Sequence, residues 1–341
     1  ISKMKILYVI TSLHTGGAEK LMVDLLPRLR DLGQHVELLV FDGTRTPFYK
    51  MLENQGIIIN NFKTCHNIYD PINILRLIPY IKKFDIIHTH NTACQYYVPL
   101  AKFLIRGKTR LFTTEHNTLN RRRNIHLFLF FDKIMYSSYE KIICISDKVK
   151  LLMGKYIGNE RNLITINNGI DVSKYFSELK IPDPNKKIIV TMVAAFRKQK
   201  DQDTVIRAMA LLNYNYTLRL VGDGERRIEL EHLIRNLNLN ERVNLLGIRN
   251  DIPNILQQSD VVVLSSYWEG FGLSAVEGMA AGKPVIASNV DGLSDIVNHY
   301  GLIFSKGNAE MLAEEIKHLI EDKEFYLSVA TKCRRRAMKY D

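Results

Sequence analysis

Short apolar runs alternate with helical stretches along the first half of this 341-residue sequence, and after a break the alternation starts afresh. Residues 5–10 form an apolar run ending in the Gly16-Gly17 turn. Leu21, Met22, Leu25, Leu26, Leu29 and Leu32 then recur at helical spacing, closed by Gly33. Further strands are expected at 36–41, 86–90, 111–115 and 142–146. The second round opens with a strand at 188–194 and a helix at 201–212. It continues with strands at 217–221, 243–246, 261–265 and 284–287, interleaved with helices at 226–237, 275–281 and 309–321. Such alternation points to parallel sheets with helices on both faces. Residues 172–187, with Pro182, Pro184 and several charges, read as a linker. The expected architecture is therefore two doubly wound α/β domains, 4–171 and 188–341, facing each other across a cleft, rather than one long sheet. Ligands would lie at the carboxyl ends of the strands.

Composition narrows the class. Hydrophobic residues make up 46% and charged residues 24%, which excludes a disordered, collagenous or coiled-coil chain. No apolar run approaches the ~20 residues of a membrane span, and no signal-peptide pattern opens the sequence. Cys65, Cys94, Cys144 and Cys333 are scattered and suit a reduced, cytoplasmic protein without disulfides or zinc. The net charge of +11 is one-sided. Residues 1–170 carry 24 Lys and Arg against 13 Asp and Glu, and the remainder 23 against 23. A basic first half suits an anionic surface or is simply a solvated face.

Four segments can carry chemistry. Gly16 and Gly17 stand between the first strand and first helix, where backbone approaches a ligand closely and free N–H groups suit a phosphate. The dinucleotide fingerprint GxGxxG is absent there and around Val221-Gly222-Asp223-Gly224, which lowers the case for a nicotinamide enzyme. Glu269-Gly270-Phe271-Gly272-Leu273-Ser274-Ala275-Val276-Glu277 links a strand to a helix. The amides of Leu273 and Ser274 would face an anion, and Glu269 and Glu277 suit sugar hydroxyls. The plain alternatives are an exposed loop carboxylate for Glu269 and, for Glu277, a capping box Ser274-x-x-Glu277. His116 ends a predicted strand in Thr113-Thr114-Glu115-His116-Asn117, as a site residue or as a buried or capping histidine.

The Glu-x7-Glu pattern in this setting resembles the retaining glycosyltransferases of the GT4 family, whose GT-B fold pairs two Rossmann-like domains. The resemblance spans nearly the whole chain. Gly16-Gly17-Ala18-Glu19, Asn168-Gly169-Ile170-Asp171, Val221-Gly222-Asp223-Gly224 and Gly282-Lys283-Pro284-Val285-Ile286-Ala287 match its glycine loops and turns in order. It implies that Glu277 binds ribose hydroxyls of a nucleotide-sugar donor, a UDP-sugar being expected. It places Glu269 and His116 against the transferred sugar, and Gly16, Gly17, Gly222, Gly272, Leu273 and Ser274 around the nucleotide diphosphate. Family members often carry Gly/Ala-Arg-x-x-x-Gln-Lys after the first strand of the second domain, where this chain reads Ala194-Ala195-Phe196-Arg197-Lys198-Gln199-Lys200. Lys200 matches, Ala195 stands at the arginine's place, and Arg197 is expected to supply the guanidinium, with Lys198 its competitor. Fixed cations and N–H groups would stabilise the leaving diphosphate without a metal. No carboxylate pair of the kind retaining glycosidases use is readable, so same-face attack, with the leaving phosphate taking the proton, is implied by the resemblance alone.

Metal readings are weak. Asp201-x-Asp203 opens a helix, where acids serve as caps. His88-x-His90 shares one strand face but lacks a third ligand, and reads as cleft-lining or core. No cofactor is expected. On the acceptor side, Arg121-Arg122-Arg123 runs into Ile125 and Leu127-Phe128-Leu129-Phe130-Phe131, with Lys102, Arg106, Lys108 and Arg110 in the same half. That suits a glycan or lipid-linked acceptor and peripheral contact with an anionic membrane at its cytoplasmic face, against a core helix behind a basic loop. No nucleic-acid module is readable. Arg334-Arg335-Arg336 reads as a solvated helix end, and the helix with which family members cross back to the first domain is expected to be missing after Asp341. The expected function is hexosyl or N-acetylhexosaminyl transfer in surface polysaccharide assembly. A nucleotide-sugar 2-epimerase and a non-catalytic nucleotide-sugar binder stay open as rivals.

Overall fold

The computed structural model describes residues 4–14, 16–62, 67–116 and 126–341. The chain divides into two compact units, 1–168 and 169–341. In the first, β1 (Lys5–Ile10), α1 (Gly17–Asp31), β2 (His35–Val40), α2 (Pro47–Asn54) and β3 (Ile58–Asn61) are followed by α3 (Ile72–Lys83), β4 (Ile86–Thr89) and α4 (Thr92–Ile105). β5 (Arg110–Glu115), α5 (His126–Ser137), β6 (Lys141–Cys144), α6 (Asp147–Ile157) and β7 (Leu163–Thr165) complete it. All strand pairs are parallel, in the order β3-β2-β1-β4-β5-β6-β7.

The apolar runs of β1 and β2 exist because a parallel strand is covered on both faces. Met22, Val23 and Leu26 of α1 close one face over Tyr8, Ile10, Leu38 and Val40. That helical stripe is the one readable from its leucine spacing.

The second unit begins with the short α7 (Val172–Tyr175), then β8 (Ile188–Val193), α8 (Gln202–Leu211), β9 (Tyr216–Val221), α9 (Arg227–Asn236), β10 (Val243–Gly247) and α10 (Ile252–Gln257). It continues through β11 (Val261–Leu264), α11 (Leu273–Ala280), β12 (Val285–Ser288), α12 (Leu293–Val297), β13 (Leu302–Phe304), α13 (Ala309–Glu321) and α14 (Lys323–Ala337). Its sheet is also parallel, in the order β10-β9-β8-β11-β12-β13.

Two expectations change here. Residues 172–187 belong to the second unit, with Val172 and Tyr175 buried, because α7 packs against α10 and α11. The arginines at the end of α14 are not all solvated. Arg334 donates to the carbonyl of Ser177 and lies over the Phe176 ring, 4.9 Å from its centroid. Arg336 donates to the carbonyls of Ile296 and Asp295 at 3.2 and 2.7 Å and covers the Tyr300 ring. A guanidinium satisfies several carbonyls at once while its planar face stays apolar enough to stack. Only Arg335 of the three is exposed. The last residues stay in this unit: Ile170 donates its N–H to the Tyr340 carbonyl at 2.8 Å, and the Tyr340 ring meets Phe271 edge-on.

Candidate functional site

Each sheet has a point where the chain reverses its direction of growth. In the first unit, strands are added outward from β1 to β3, and the chain then returns to lay β4 on the other side of β1. In the second, β8 is flanked by β9 and β11 in the same way. Loops leaving the two central strands there part to opposite faces, and a crevice opens at the carboxyl edge. Every site residue expected from the sequence is on or beside one of these two edges, except Glu277, which lies one turn into α11.

In the second unit the loop after β8 contains a 3₁₀ turn, Lys198–Lys200, and the loop after β11 contains Ser265 to Gly272. They are tied together. Tyr267 donates its N–H to the Gln199 carbonyl, and Gln199 Nε2 donates to the Trp268 carbonyl, both at 2.8 Å. Ser265 Oγ donates to the carbonyls of Lys200 and Asp201 at 3.1 and 2.7 Å. These bonds bring Lys200 Nζ into an ion pair with Glu269 Oε2, across 69 positions of sequence. The Gly270 N–H also donates to Glu269 Oε1 at 3.3 Å. Both side chains are largely but not wholly covered, at 23% and 13% exposure. Arg197 is exposed two residues beyond Ala195.

α11 begins at Leu273, two residues earlier than expected, with Gly272 as its N-cap. At Gly272 φ is 90°, and a Cβ would lie 2.5 Å from Leu293 Cδ2, so glycine is required there. The first bond of the helix runs from the Ala275 N–H to the Gly272 carbonyl at 2.9 Å, so the Leu273 and Ser274 amides precede it and carry the positive end of the helix dipole. Ser274 is thus inside the helix, and its capping box with Glu277 is not formed. Instead Glu277, buried, accepts a 2.8 Å hydrogen bond from Tyr175 OH. Tyr175 went unnoticed in the sequence because it stands 102 positions away. Gly222 has a reason of its own: at φ 137° a Cβ would sit 2.1 Å from the Ala194 carbonyl oxygen, so the chain approaches itself there.

The acids Asp201 and Asp203 are engaged in the fold. Asp201 Oδ2 accepts from Thr204 Oγ1 at 2.6 Å, and Asp203 is paired with Arg226. Among the described residues no three His, Cys, Asp or Glu side chains cluster as metal ligands.

The edge of the first unit is built from different groups. Gly16 caps α1 in extended conformation, and the nearest anion is the chain's own Glu19, which lies where a Gly16 Cβ would be. Gly17 is the first residue of that helix. Asn91, at φ 67°, donates from Nδ2 to Thr11 Oγ1 at 3.0 Å and so joins the loops after β1 and β4. His116 follows β5 directly, and its Nε2 lies 2.8 Å from His90 Nδ1. His90 stacks on His88, with ring centroids 4.6 Å apart, and Tyr8 packs beside both. His88 Nε2 lies 2.7 Å from Thr114 Oγ1. Desolvation pushes the His116 imidazole down to about 4 and that of His88 to about 3, and holds His90 well below the usual range. All three are neutral at physiological pH. Behind them Glu115 is buried and accepts from Gln95 Nε2 and Tyr136 OH, each at 2.6 Å.

The basic tripeptide Arg121–Arg123 and the free thiol expected at Cys65 lie outside the described residues, and the side chain of Leu127 is not described. Arg110 is paired with Glu140. α5 is not a core helix throughout: Asp132, Met135 and Tyr136 are buried, whereas Phe128, Phe130, Phe131 and Ile134 are exposed. Leu100, Phe103 and Leu104 of α4 are exposed as well, Phe103 at 80%. No described helix is long and apolar enough to cross a membrane.

This geometry has close relatives. Residues 15–174 match the family described as Glycosyltransferase Family 4, and residues 175–339 match Glycosyl transferases group 1. The chain is 29% identical to an uncharacterised glycosyltransferase of Methanocaldococcus jannaschii, over 91% of this chain and 86% of that one. It is 28% identical to the Escherichia coli UDP-Gal:alpha-D-GlcNAc-diphosphoundecaprenol alpha-1,3-galactosyltransferase, over 83% of this chain and 76% of that one. Anabaena HepE, solved in complex with UDP-glucose, superposes with a TM-score of 0.86 at 25% identity, covering 99% of this chain and 95% of its own. The fold is the GT-B arrangement of Rossmann-like parallel-sheet units, and the chain belongs to the glycosyltransferases of family 4, group 1.

Proposed function

We propose that the protein is a retaining glycosyltransferase that moves a hexose or N-acetylhexosamine from a UDP-sugar to a lipid-linked or glycan acceptor in surface polysaccharide assembly. The Lys200–Glu269 pair at the crossover of the second sheet carries this reading. A diphosphate leaving group gains negative charge as its glycosidic bond breaks, and a fixed ammonium together with the first amides of α11 would stabilise that charge. Arg197 adds a second cation. Glu269 and His116 hold hydroxyls of the transferred sugar, and Glu277 holds the ribose, with its carboxylate oriented by Tyr175. Gly16, Gly17 and Gly222 complete the nucleotide-sugar contacts assigned by resemblance. The chemistry needs no metal, because Lys200, Arg197 and the first amides of α11 supply the positive charge the leaving diphosphate requires; the acceptor hydroxyl attacks on the face that phosphate departs from and gives its proton to it. A UDP donor and a diphospholipid acceptor are favoured by the E. coli galactosyltransferase and by HepE bound to UDP-glucose.

Thermal shifts against UDP, GDP, ADP, CMP and NAD, with and without EDTA, test the donor class. A ligand at ~100 times its Kd adds about 2.7 kcal/mol, a shift of several degrees. A selective, EDTA-insensitive response to UDP is expected, and a response to NAD alone overturns the reading. Incubation with UDP-sugars and undecaprenyl-diphosphate-linked sugars should then give a glycosylated lipid. A C2-epimerised sugar formed without acceptor would make the protein an epimerase instead.

The acceptor reading includes peripheral contact with an anionic membrane through the exposed face of α4 and α5. Beside the exposed apolar side chains of the two helices in sequence stand the half-buried Lys102 and the exposed Arg106, Lys108 and Lys133, a composition that suits a bilayer interface. Replacing Phe103, Phe130 and Phe131 with serine should reduce sedimentation with phosphatidylglycerol vesicles several-fold. Unchanged sedimentation removes this face from the proposal.

A further inference from the structure

His90 closes the carboxyl end of β4, at the crossover of the first sheet, with its backbone N–H donating to the Val9 carbonyl at 2.8 Å. Its ring is held between neighbours: His88 and Tyr8 stack against it, and Nδ1 lies 2.8 Å from His116 Nε2. Its other nitrogen, Nε2, is fully buried and has no hydrogen-bond partner among the described residues. The side chain as a whole is 1% exposed, so solvent does not reach that atom.

A neutral imidazole carries one proton, on Nδ1 or on Nε2. If the proton of His90 sat on Nε2, it would be an orphaned buried donor, which folded proteins avoid more strongly than an orphaned acceptor. If it sits on Nδ1, the donor is satisfied by His116 and only a lone pair is left without a partner. In that arrangement His116 Nε2 accepts. Because His116 also has one proton, that proton is on Nδ1. The buried rings favour the neutral forms that this accounting requires, because desolvation penalises an imidazolium.

We propose that His90 is a positioning residue: its Nδ1–H fixes His116 as the Nδ1–H tautomer, so that His116 meets its ligand as a hydrogen-bond donor to a sugar oxygen. The functional half of this rests on the sugar-contacting role given to His116 above. The tautomer half rests only on the two rings and the orphaned nitrogen.

Two experiments separate the halves. In the full chain labelled with 15N-histidine, long-range 15N–1H spectra at pH 7 read the tautomers directly, with signals assigned by loss in H90L and H116A. Nδ1–H on both rings is expected, and Nε2–H on His116 overturns the proposal without reference to activity. In transfer assays H90L should lower kcat about tenfold, the cost of one well-placed hydrogen bond, with the donor KM within twofold. H90N, whose amide N–H occupies the place of Nδ1, should recover most of that loss, and H90Q, which reaches toward the place of Nε2, should not. Equal recovery by both, or none by H90N in a folded protein, overturns the positioning role. If H116A transfers as well as the unsubstituted chain while the spectra read as expected, the tautomer stands and the sugar-contact reading fails.

Discussion

The two sheets reverse direction at equivalent places, beside β1 in one unit and beside β8 in the other, yet they present opposite chemistry at those edges. The second unit gathers Arg197, Lys200 and the start of α11, with one carboxylate, Glu269, paired to the lysine. The first gathers three neutral imidazoles and a helix start on which its own Glu19 lies. A crossover supplies a crevice, but the residues on its loops decide what charge it accepts. Fixed cations suit a group that arrives charged and leaves more so. Uncharged donors and acceptors suit hydroxyls, which must be oriented without being ionised. The comparison ties the proposed roles to charge: Lys200 and Arg197 would meet the diphosphate, and the uncharged His116 a sugar hydroxyl, a kind of contact the proposal also gives to Glu269 on the second edge.

The largest test removes the ammonium. Lys200→Ala should lower kcat/KM by about 10²–10³-fold, the usual cost of losing one preorganised charge partner of a leaving group. It also takes the ammonium from beside Glu269, whose charge would then repel a diphosphate, so Lys200→Ala with Glu269→Gln should recover part of the accompanying loss of UDP affinity measured by calorimetry. If Lys200→Ala transfers normally, the contrast between the edges has no functional content. His116→Ala should cost less, about 10²-fold in kcat, and leave the Kd for UDP by calorimetry unchanged. Weakened UDP binding in that variant would place His116 against the nucleotide rather than the sugar. Smaller again, Arg197→Ala should weaken UDP binding about tenfold, as expected for a charge-assisted contact. Lys198→Ala should change it less than twofold, and equal effects would break the assignment of Arg197 to the place vacated at Ala195.

How far the sequence disclosed this depends on the element. Central strands such as β1, β8 and β11 were legible because a parallel strand covered on both faces must be apolar throughout. β3, β7 and β13 escaped notice because they are edge strands of three or four residues, half polar in the case of Ile58–Asn61. The buried face of α14, Tyr326, Val329, Ala330, Cys333 and Ala337, follows helical spacing and could have been read. The fate of Arg334 and Arg336 could not, since their carbonyl partners lie 157 and 40 positions away. The site behaves alike. Glu269, Gly272 and the start of α11 were visible as one segment, whereas pairing with Lys200 and Tyr175 required the fold. His88-x-His90 was visible as a shared strand face, but its link to His116 depends on β4 and β5 lying side by side.

The mildest test of the comparison is its response to acid, to which the first unit should be the more sensitive between pH 7 and pH 5. In the first, His116 and His88 are held at about 4 and about 3 by burial, against an ordinary value near 6.5. The unfolded chain therefore binds more protons than the folded one as pH falls below about 6.5. The stabilisation from keeping these rings neutral is complete above that pH and is lost progressively as pH falls through the folded values. In the second unit, burial raises the carboxyls of Asp201 and Asp260 above their ordinary range. Those two groups hold protons more tightly in the folded state, whereas Arg226 and Arg249 lower the carboxyls of Asp203 and Asp251, so the contributions in this unit oppose one another. Between pH 7 and pH 5 only the histidines titrate strongly, and protection of β4 and β5 amides against hydrogen exchange, corrected for intrinsic rate, should fall relative to that of β8 and β9. His88→Asn should flatten this dependence, because an amide has no proton to take up. Equal loss of protection in both sheets would mean that the imidazoles are not kept neutral by the fold, and the first edge would then carry charge like the second.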